Sequence, residues 1–250
     1  MAAGIPPGRV RVGTSGWSYP HWKGPFYPPE LASGEELAFI ARHFASVEIN
    51  ATFYRLPTAA AVMRWRAAVP EDFVFAVKAS RYITHVKKLK EPERTLPPFL
   101  EVVSGLGEKL GPLLFQLPPR WRFDSGRLAA FLAALPKGQR AAFEFRDESW
   151  FGADCLSLLA ASGAALCFSE IAGQRAPEEP TADFAYYRLH GPGEAYEGSY
   201  DEAALQTLAG KCLGFAARGL DVYCYFDNDQ AGFAAKNAAR LRELTHGGAQ

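Results

Sequence analysis

The chain has 250 residues, of which 48% are hydrophobic and 13% aromatic, and its 27 Lys and Arg balance its 27 Asp and Glu. This apolar content excludes a disordered chain and is enough for one large domain or two small ones. A net charge of zero disfavours sequence-independent nucleic-acid binding by the whole surface, although a local basic patch remains open.

The longest apolar stretches are strand-sized, far below the roughly 20 residues of a membrane helix, so we expect no membrane association. Met1–Arg11 is rich in Pro and Gly and has no apolar core, so we do not expect a secretion signal. The cysteines form no C-x-x-C pair, which argues against a zinc knuckle or a redox motif. They are Cys155, Cys167, Cys212 and Cys224. Scattered cysteines in a chain of this size favour a reducing cytoplasm.

Eight short apolar runs, bounded by Gly, Pro, Ser or Asp, predict buried strands. They are Val10–Gly13, Val47–Asn50, Phe73–Lys78, Leu113–Leu117, Ala141–Arg146, Ala164–Ser169, Phe184–His190 and Asp221–Asp227. Amphipathic stretches rich in Ala and Leu lie between most of them and predict helices. These stretches are Glu35–Ala45, Thr58–Ala67, Pro98–Leu110, Ser125–Leu135, Asp154–Ser162, Asp201–Ala217 and Gln230–Leu244. Thr58 and Asp201 are expected N-caps, and Gly219 an expected stop signal.

Strands that alternate with helices predict a parallel sheet. Eight strands in about 250 residues favour an α/β fold, a single (β/α)8 TIM-type barrel over residues 1–250 with a core at about 9–245. An open doubly wound sheet is the alternative. The first strand is not followed by G-x-G-x-x-G, and the eight runs are nearly equal in length, so the barrel is preferred.

Three connections are long and irregular, and they follow strands one, three and six: Thr14–Gly34, Ser80–Pro97 and Glu170–Asp183. In a barrel all three would lie on the catalytic face. The first is aromatic and includes Trp17, so it is either plain packing or a wall for a flat or sugar-like ligand. The second contains the basic segment Arg81–Arg94, which is either a solvated surface or a nucleic-acid patch.

Side chains of alternate strand residues share a face, and the outer face of a barrel packs against helices, where an unpaired charge costs several kcal/mol. The charged alternates of strands two, five and seven should therefore point to the barrel axis near its wet end. These are Glu48 with Asn50, Glu144 with Arg146, and Arg188 with His190. Strands three, four and eight add Lys78, Gln116 and Asp227 at their ends.

Each candidate also has a structural explanation. Glu48 and Arg146 suit a buried ion network, and the other histidines, His21, His43, His85 and His246, are treated as ordinary surface or core residues. A metal site could be built from the acidic candidates and His190, but the neighbouring Arg and Lys would oppose a cation. We therefore expect neither a metal nor a cofactor.

Five ordered motifs resemble the YecE-like family, a domain of unknown function numbered 72. They are Gly13–Trp17, Glu48–Tyr54, Gln116–Pro119, Glu144–Trp150 and Arg188–Gly191. The resemblance extends from Val10 to about Leu244 and implies a TIM-type barrel with a polar pocket at its C-terminal face. It gives no settled reaction. The family often has an Asn-rich end of strand eight, where this chain has Asp227–Asp229.

The leading hypothesis is an enzyme, a hydrolase, isomerase or lyase, that acts on a small phosphorylated or carboxylated anion. Glu144 and His190 would exchange protons, assisted by Glu48 and Asp227. Substrate would contact Lys78, Arg146, Arg188, Asn50, Gln116, Trp17 and Tyr54. The alternatives are a glycoside hydrolase, a metal-dependent isomerase-like enzyme, or a non-catalytic module that binds a metabolite or nucleic acid. The sequence assigns no oligomeric state.

Overall fold

The computed structural model describes residues 6–171, 173–193 and 195–246. The first five residues of Met1–Arg11, and residue 172 of the third long connection, lie outside this range. In the part of the chain that is described, no helix has the length and apolar character needed to cross a membrane.

The eight predicted strands all form, with ends shifted by a few residues. The strands are β1 Val10–Thr14, β2 Ser46–Ile49, β3 Val74–Lys78, β4 Leu110–Gln116, β5 Ala141–Glu144, β6 Ala165–Ile171, β7 Gln174–Arg175, β8 Phe184–Leu189 and β9 Asp221–Phe226. The pairs β1–β9, β8–β9, β3–β4, β4–β5 and β5–β6 are parallel. Only the short β7 was not predicted, and it pairs antiparallel with the end of β6.

The predicted helices also form. They are α1 Glu36–His43, α2 Ala59–Ala67, α3 Pro92–Ser104, α4 Ser125–Ala134, α5 Ala153–Ala161, α6 Glu202–Ala217 and α7 Phe233–His246. The expected caps are confirmed, because the Thr58 hydroxyl accepts from the Ala61 amide at 3.2 Å and Asp201 accepts from the Ala204 amide at 2.8 Å. Gly219 follows α6 with a φ of +86°, a conformation that glycine adopts without strain.

Parallel strands that alternate with helices make this fold a (β/α)8 barrel of the TIM type, as predicted. Tertiary contacts group the chain into two compact units. Unit 1 comprises the described parts of residues 1–47, 169–175 and 183–250, and unit 2 comprises residues 48–168 and 176–182. That the whole chain is a single domain stays a prediction.

Aromatic packing fills the core of each unit. In unit 1, the rings of Tyr186 and Tyr223 stack on neighbouring strands β8 and β9, with centroids 6.3 Å apart. In unit 2, Phe115 of β4 stacks on Phe143 of β5 at 5.3 Å, and Phe131 of α4 meets Phe115 edge-on at 5.0 Å. These buried rings fix the strands to the helices that cover them.

The connection after β3 is more helical than predicted. Tyr82–Val86 forms a π-helix, and α3 begins at Pro92 rather than Pro98, so Pro97 and Pro98 lie inside it. A proline inside a helix removes a backbone hydrogen bond, so this longer helix carries that cost twice. Here α3 buries Thr95, Leu96, Phe99 and Val103. Packing of that face outweighs the lost backbone bonds.

Candidate functional site

Three neighbouring strands of unit 1 carry polar residues beyond their carboxyl ends. The strand register places Arg188 beside Tyr225, and Tyr225 beside Gly13. Two positions further along each strand come His190, Asp227 and Ser15, which therefore share the face of Arg188. The register continues into these loops, because the Asp227 amide donates to the Leu189 carbonyl and the Ser15 amide to the Phe226 carbonyl, both at 2.8 Å.

The side chains of this unit 1 cluster are in contact. Arg188 Nη2 donates to Asp227 Oδ2 at 2.8 Å and to Ser15 Oγ at 3.0 Å. His190 Nδ1 lies 3.1 Å from the same Asp227 oxygen, and both Arg188 and His190 are 0% exposed. A carboxylate beside an imidazole holds the ring in one orientation. The cluster therefore presents an oriented imidazole, a group that can exchange a proton with a bound molecule.

The chain turns sharply after His190. Gly191 has a φ of +112°, and its amide donates to the Tyr200 hydroxyl at 3.0 Å. The turn returns Tyr196 to the histidine: its amide donates to the His190 carbonyl, and its ring meets the imidazole edge-on at 5.5 Å. Tyr196 is 43% exposed, whereas the imidazole that it contacts is buried, so the tyrosine lies on the solvent side of His190.

Tyr196 also lines an open pocket of about 460 Å³, together with His21, Ala195, Glu197, Asp229, Gln230 and Ala231. His21 Nε2 lies 3.4 Å from Asp229 Oδ2. Burial, followed by the nearby Asp227, raises the pKa of the Asp229 carboxyl, which the charge of His21 opposes. His21, treated from sequence as an ordinary residue, thus lies in the wall of a pocket.

In unit 2, the ends of three neighbouring strands present another polar face. Gln116 pairs with Glu144, and Lys78 pairs with Leu114, which lies two residues before Gln116. Lys78, Gln116 and Glu144 therefore share one side of the sheet. Arg146, two residues after Glu144, forms an ion pair with it.

The carboxylates of unit 2 are less accessible than expected. Glu48 and Glu144 are both fully buried, whereas the sequence placed them near the wet end of the barrel. For Glu144 the reason is its ion pair with Arg146, which is itself almost completely buried. Burying a charge is tolerated when a partner of opposite charge is buried with it.

Lys78 lies against an aromatic ring. Its Nζ is 4.4 Å above the centroid of Phe53, and its carbonyl accepts from the Thr52 hydroxyl at 2.6 Å. The ring of Phe53 also meets the ring of His85 edge-on, with centroids 5.0 Å apart. The short 3-10 helix Ala51–Phe53 after β2 thus supports the lysine.

His85 is a candidate that sequence reasoning missed. Burial, and then the positive charges of Lys78, Arg81 and Arg146, lower its pKa to about 4. The ring is therefore neutral near pH 7, with one nitrogen as a hydrogen-bond donor and the other as an acceptor. The available signal was its place in the basic connection directly after Lys78, since loops after barrel strands carry catalytic groups.

The remaining predicted site residues differ in how deeply they are buried and in what they contact. Asn50 directly follows β2, and its buried Oδ1 has no hydrogen-bond partner within the described residues. Gln116 Nε2 donates to the Leu117 carbonyl at 3.1 Å. Tyr54 is 70% exposed, and its ring meets the Phe53 ring edge-on at 5.1 Å. The Trp17 carbonyl accepts from the Tyr27 hydroxyl, and its side chain is half-buried in unit 1.

Over residues 6–171, 173–193 and 195–246, no three His, Cys, Asp or Glu side chains come together in an arrangement that could hold a metal ion.

The chain is similar to several known proteins in sequence and in fold. The chain is 27% identical to UPF0759 protein YunF of Bacillus subtilis, with 94% of each chain covered. It is 33% identical to UPF0759 protein YecE of Escherichia coli over 57% of this chain and 50% of that protein. A solved DUF72 family protein from Thermotoga maritima has 29% identity and a TM-score of 0.84, covering 94% of this chain and 98% of that one. Residues 11–250 match the family described as "Protein of unknown function DUF72", and the chain belongs to this family.

Proposed function

We propose that the protein is an enzyme that acts on a small phosphorylated or carboxylated anion by acid–base catalysis. The supporting observation is the environment of His85, where burial, and then the positive charges of Lys78, Arg81 and Arg146, lower the pKa of the imidazole and keep it neutral near pH 7. A local positive potential of this kind also attracts and orients an anionic substrate.

The residues of unit 2 suit the binding step. Arg146 presents a planar fork that matches phosphate or carboxylate oxygens, and Lys78 supplies a point charge. Asn50 Oδ1, buried and without a protein partner among the described residues, is an acceptor for a substrate hydroxyl or amine. Gln116 lies beside Glu144 in the strand register and orients the substrate.

Glu144 is the proposed general acid or base of unit 2, with neutral His85 as a group that can relay the proton. In unit 1, His190 with Asp227 is a second acid–base pair, and Arg188 holds the Asp227 carboxylate in place. The reaction class would be hydrolysis, isomerisation or elimination. All four cysteines are buried thiols rather than disulfides, which supports a cytoplasmic enzyme.

Glu144→Gln tests the proposal, using a substrate identified by screening phosphorylated and carboxylated metabolites. The amide keeps the shape but cannot exchange the proton, so we expect kcat to fall by about 10²–10⁴-fold while the substrate Kd changes little. Glu101→Gln, an exposed carboxylate of α3, is the matched control. Unchanged turnover in Glu144→Gln would remove this residue from the mechanism.

His190→Gln is a separate test of the acid–base pair in unit 1. If His190 exchanges a proton with substrate, its replacement should lower kcat while the substrate Kd changes little. A variant with wild-type kcat would show that His190 takes no part in catalysis.

A further inference from the structure

A basic pocket in unit 2 takes no part in the proposed reaction. It is formed by the last residue of the π-helix, the segment that follows it and one residue of α4, and it has a volume of about 390 Å³. Its lining consists of Val86, Lys87, Lys88, Lys90, Glu91 and Arg127. None of these residues belongs to the cluster around Lys78 and Glu144.

Part of the charge in this pocket is already compensated. Lys87 Nζ lies 2.6 Å from Glu91 Oε2, and Arg127 Nε lies 3.4 Å from Asp124 Oδ2. Lys88 and Lys90 are both exposed, and no carboxylate among the described residues lies within ion-pair distance of either. Among the described residues, the pocket therefore holds two lysines that form no ion pair.

The backbone that carries these lysines is fixed in an unusual shape. Lys88, Leu89 and Glu91 have φ values of +49°, +62° and +51°, the left-handed region that residues other than glycine rarely adopt. Leu89 is buried, and its amide donates to the Ile83 carbonyl at 3.0 Å, which holds the segment in place. Strained backbone maintained by its surroundings is typical of binding segments.

Tertiary structure also adds an aromatic side chain that the sequence does not place near the lysines. Lys88 Nζ lies 5.9 Å, and the Arg127 guanidinium 5.7 Å, from the ring centroid of Trp121. Both cations are thereby held at the pocket by one ring. Val86, 63% exposed, gives the pocket an apolar side.

From these observations we propose that the pocket binds the phosphate dianion of a small organic phosphomonoester. Two positive charges match the dianion, and Val86 offers a contact for the organic part. A volume of this size is ordinary for small-molecule sites, which span about 300–1,000 Å³. This proposal is independent of the reaction assigned to Glu144, since it needs neither that residue nor turnover.

The test is calorimetric titration of the whole protein with inorganic phosphate and, separately, with a nucleoside monophosphate. We expect both to bind, the nucleotide more tightly because of its organic part. Lys88→Gln with Lys90→Gln should weaken binding at least about tenfold through loss of two charge-assisted contacts. Lys137→Gln, an exposed lysine in another turn of unit 2, is the matched control and should leave affinity unchanged.

Glu91→Gln is a variant that should increase the affinity for phosphate rather than reduce it. Removing this carboxylate releases Lys87 from its ion pair, so affinity should rise a few-fold, an effect that a damaged fold cannot produce. The proposal fails if wild type shows no saturable binding of either probe, or if Lys137→Gln weakens binding as much as the double variant. It also fails if a single-stranded oligonucleotide binds through these lysines and phosphate does not compete.

Discussion

At the scale of single residues, the unit 1 cluster shows how a protein stabilises a buried charge. Its members here are Arg188, His190 and Asp227. Arg188 is fully buried, and its guanidinium donates to both Asp227 and Ser15. Desolvation of such a cation is offset only while its carboxylate partner is present. The same carboxylate lies beside His190, so Asp227 both stabilises the buried Arg188 and belongs to the proposed acid–base pair.

Asp227→Ala should destabilise the fold by about 3–5 kcal/mol, because it removes a carboxylate that is paired with the buried Arg188 cation. Urea unfolding measures the loss. The comparison variant is Asp229→Ala, which removes a partly exposed carboxylate paired with His21 and should cost less than about 1 kcal/mol. If the two variants lose equal free energy of unfolding, the contact between Asp227 and Arg188 is not the main source of the stability assigned to it.

His85 gives a prediction about pH. Its pKa falls from 6.5 in the unfolded chain to about 4 in the fold, so the unfolded state binds the proton more readily between these values. Stability from the neutral ring is fully present above pH 6.5 and is lost as pH falls toward 4. His85→Gln should remove about 1 kcal/mol of this dependence, a modest amount because solvent screens a half-buried group.

Urea midpoints at about pH 4.5 and pH 7 measure that difference between wild type and variant. The exposed His246→Gln is the control and should keep the wild-type dependence. An identical pH dependence in His85→Gln and wild type would show that the ring does not resist protonation in the fold.

At the level of elements, local signals decide where helices begin. Thr58, Asp124 and Asp201 each accept a hydrogen bond from an amide in the first turn of the helix they precede. α3 differs: Glu91 precedes it in a left-handed conformation and makes no side-chain cap. Its start is set by tertiary packing, which explains why the predicted boundary at Pro98 was wrong.

Asp201→Ala should cost about 1 kcal/mol, because the side chain satisfies the Ala204 amide at the start of α6. Asp201→Asn keeps an oxygen acceptor at the same place and should cost much less. Chemical denaturation of both variants measures the difference. If Asn and Ala are equally destabilising, the contribution of Asp201 is charge rather than capping.

At the scale of the whole molecule, opposite charges cancel. With 27 cations, 27 carboxylates and a pI near 7.0, the protein has almost no net charge at neutral pH. Repulsion between molecules is then weakest, so we expect solubility to be lowest near pH 7 and to rise toward about pH 5 and about pH 9. Precipitation by polyethylene glycol across this pH range measures the solubility. A solubility that does not change with pH would contradict the predicted minimum.

The sequence by itself determined the eight strands, most helix boundaries and the side of each strand on which polar residues lie. These depend on the period of two along a strand, on helical periodicity and on capping, all of which are local consequences of backbone geometry. In unit 2 the strand registers place Lys78, Gln116 and Glu144 on one side of the sheet, and in unit 1 Arg188 and His190 both lie beside Asp227.

Only the tertiary structure decided which charges meet, how deeply they are buried and what their neighbours do to them. His85 is neutral because residues from separate segments surround it, and Trp121 meets Lys88 and Arg127 although 33 positions separate it from that lysine. Desolvation and Coulomb interactions depend on distance in space rather than along the chain. Side-chain partners and pKa values therefore follow from packing, which no local pattern encodes.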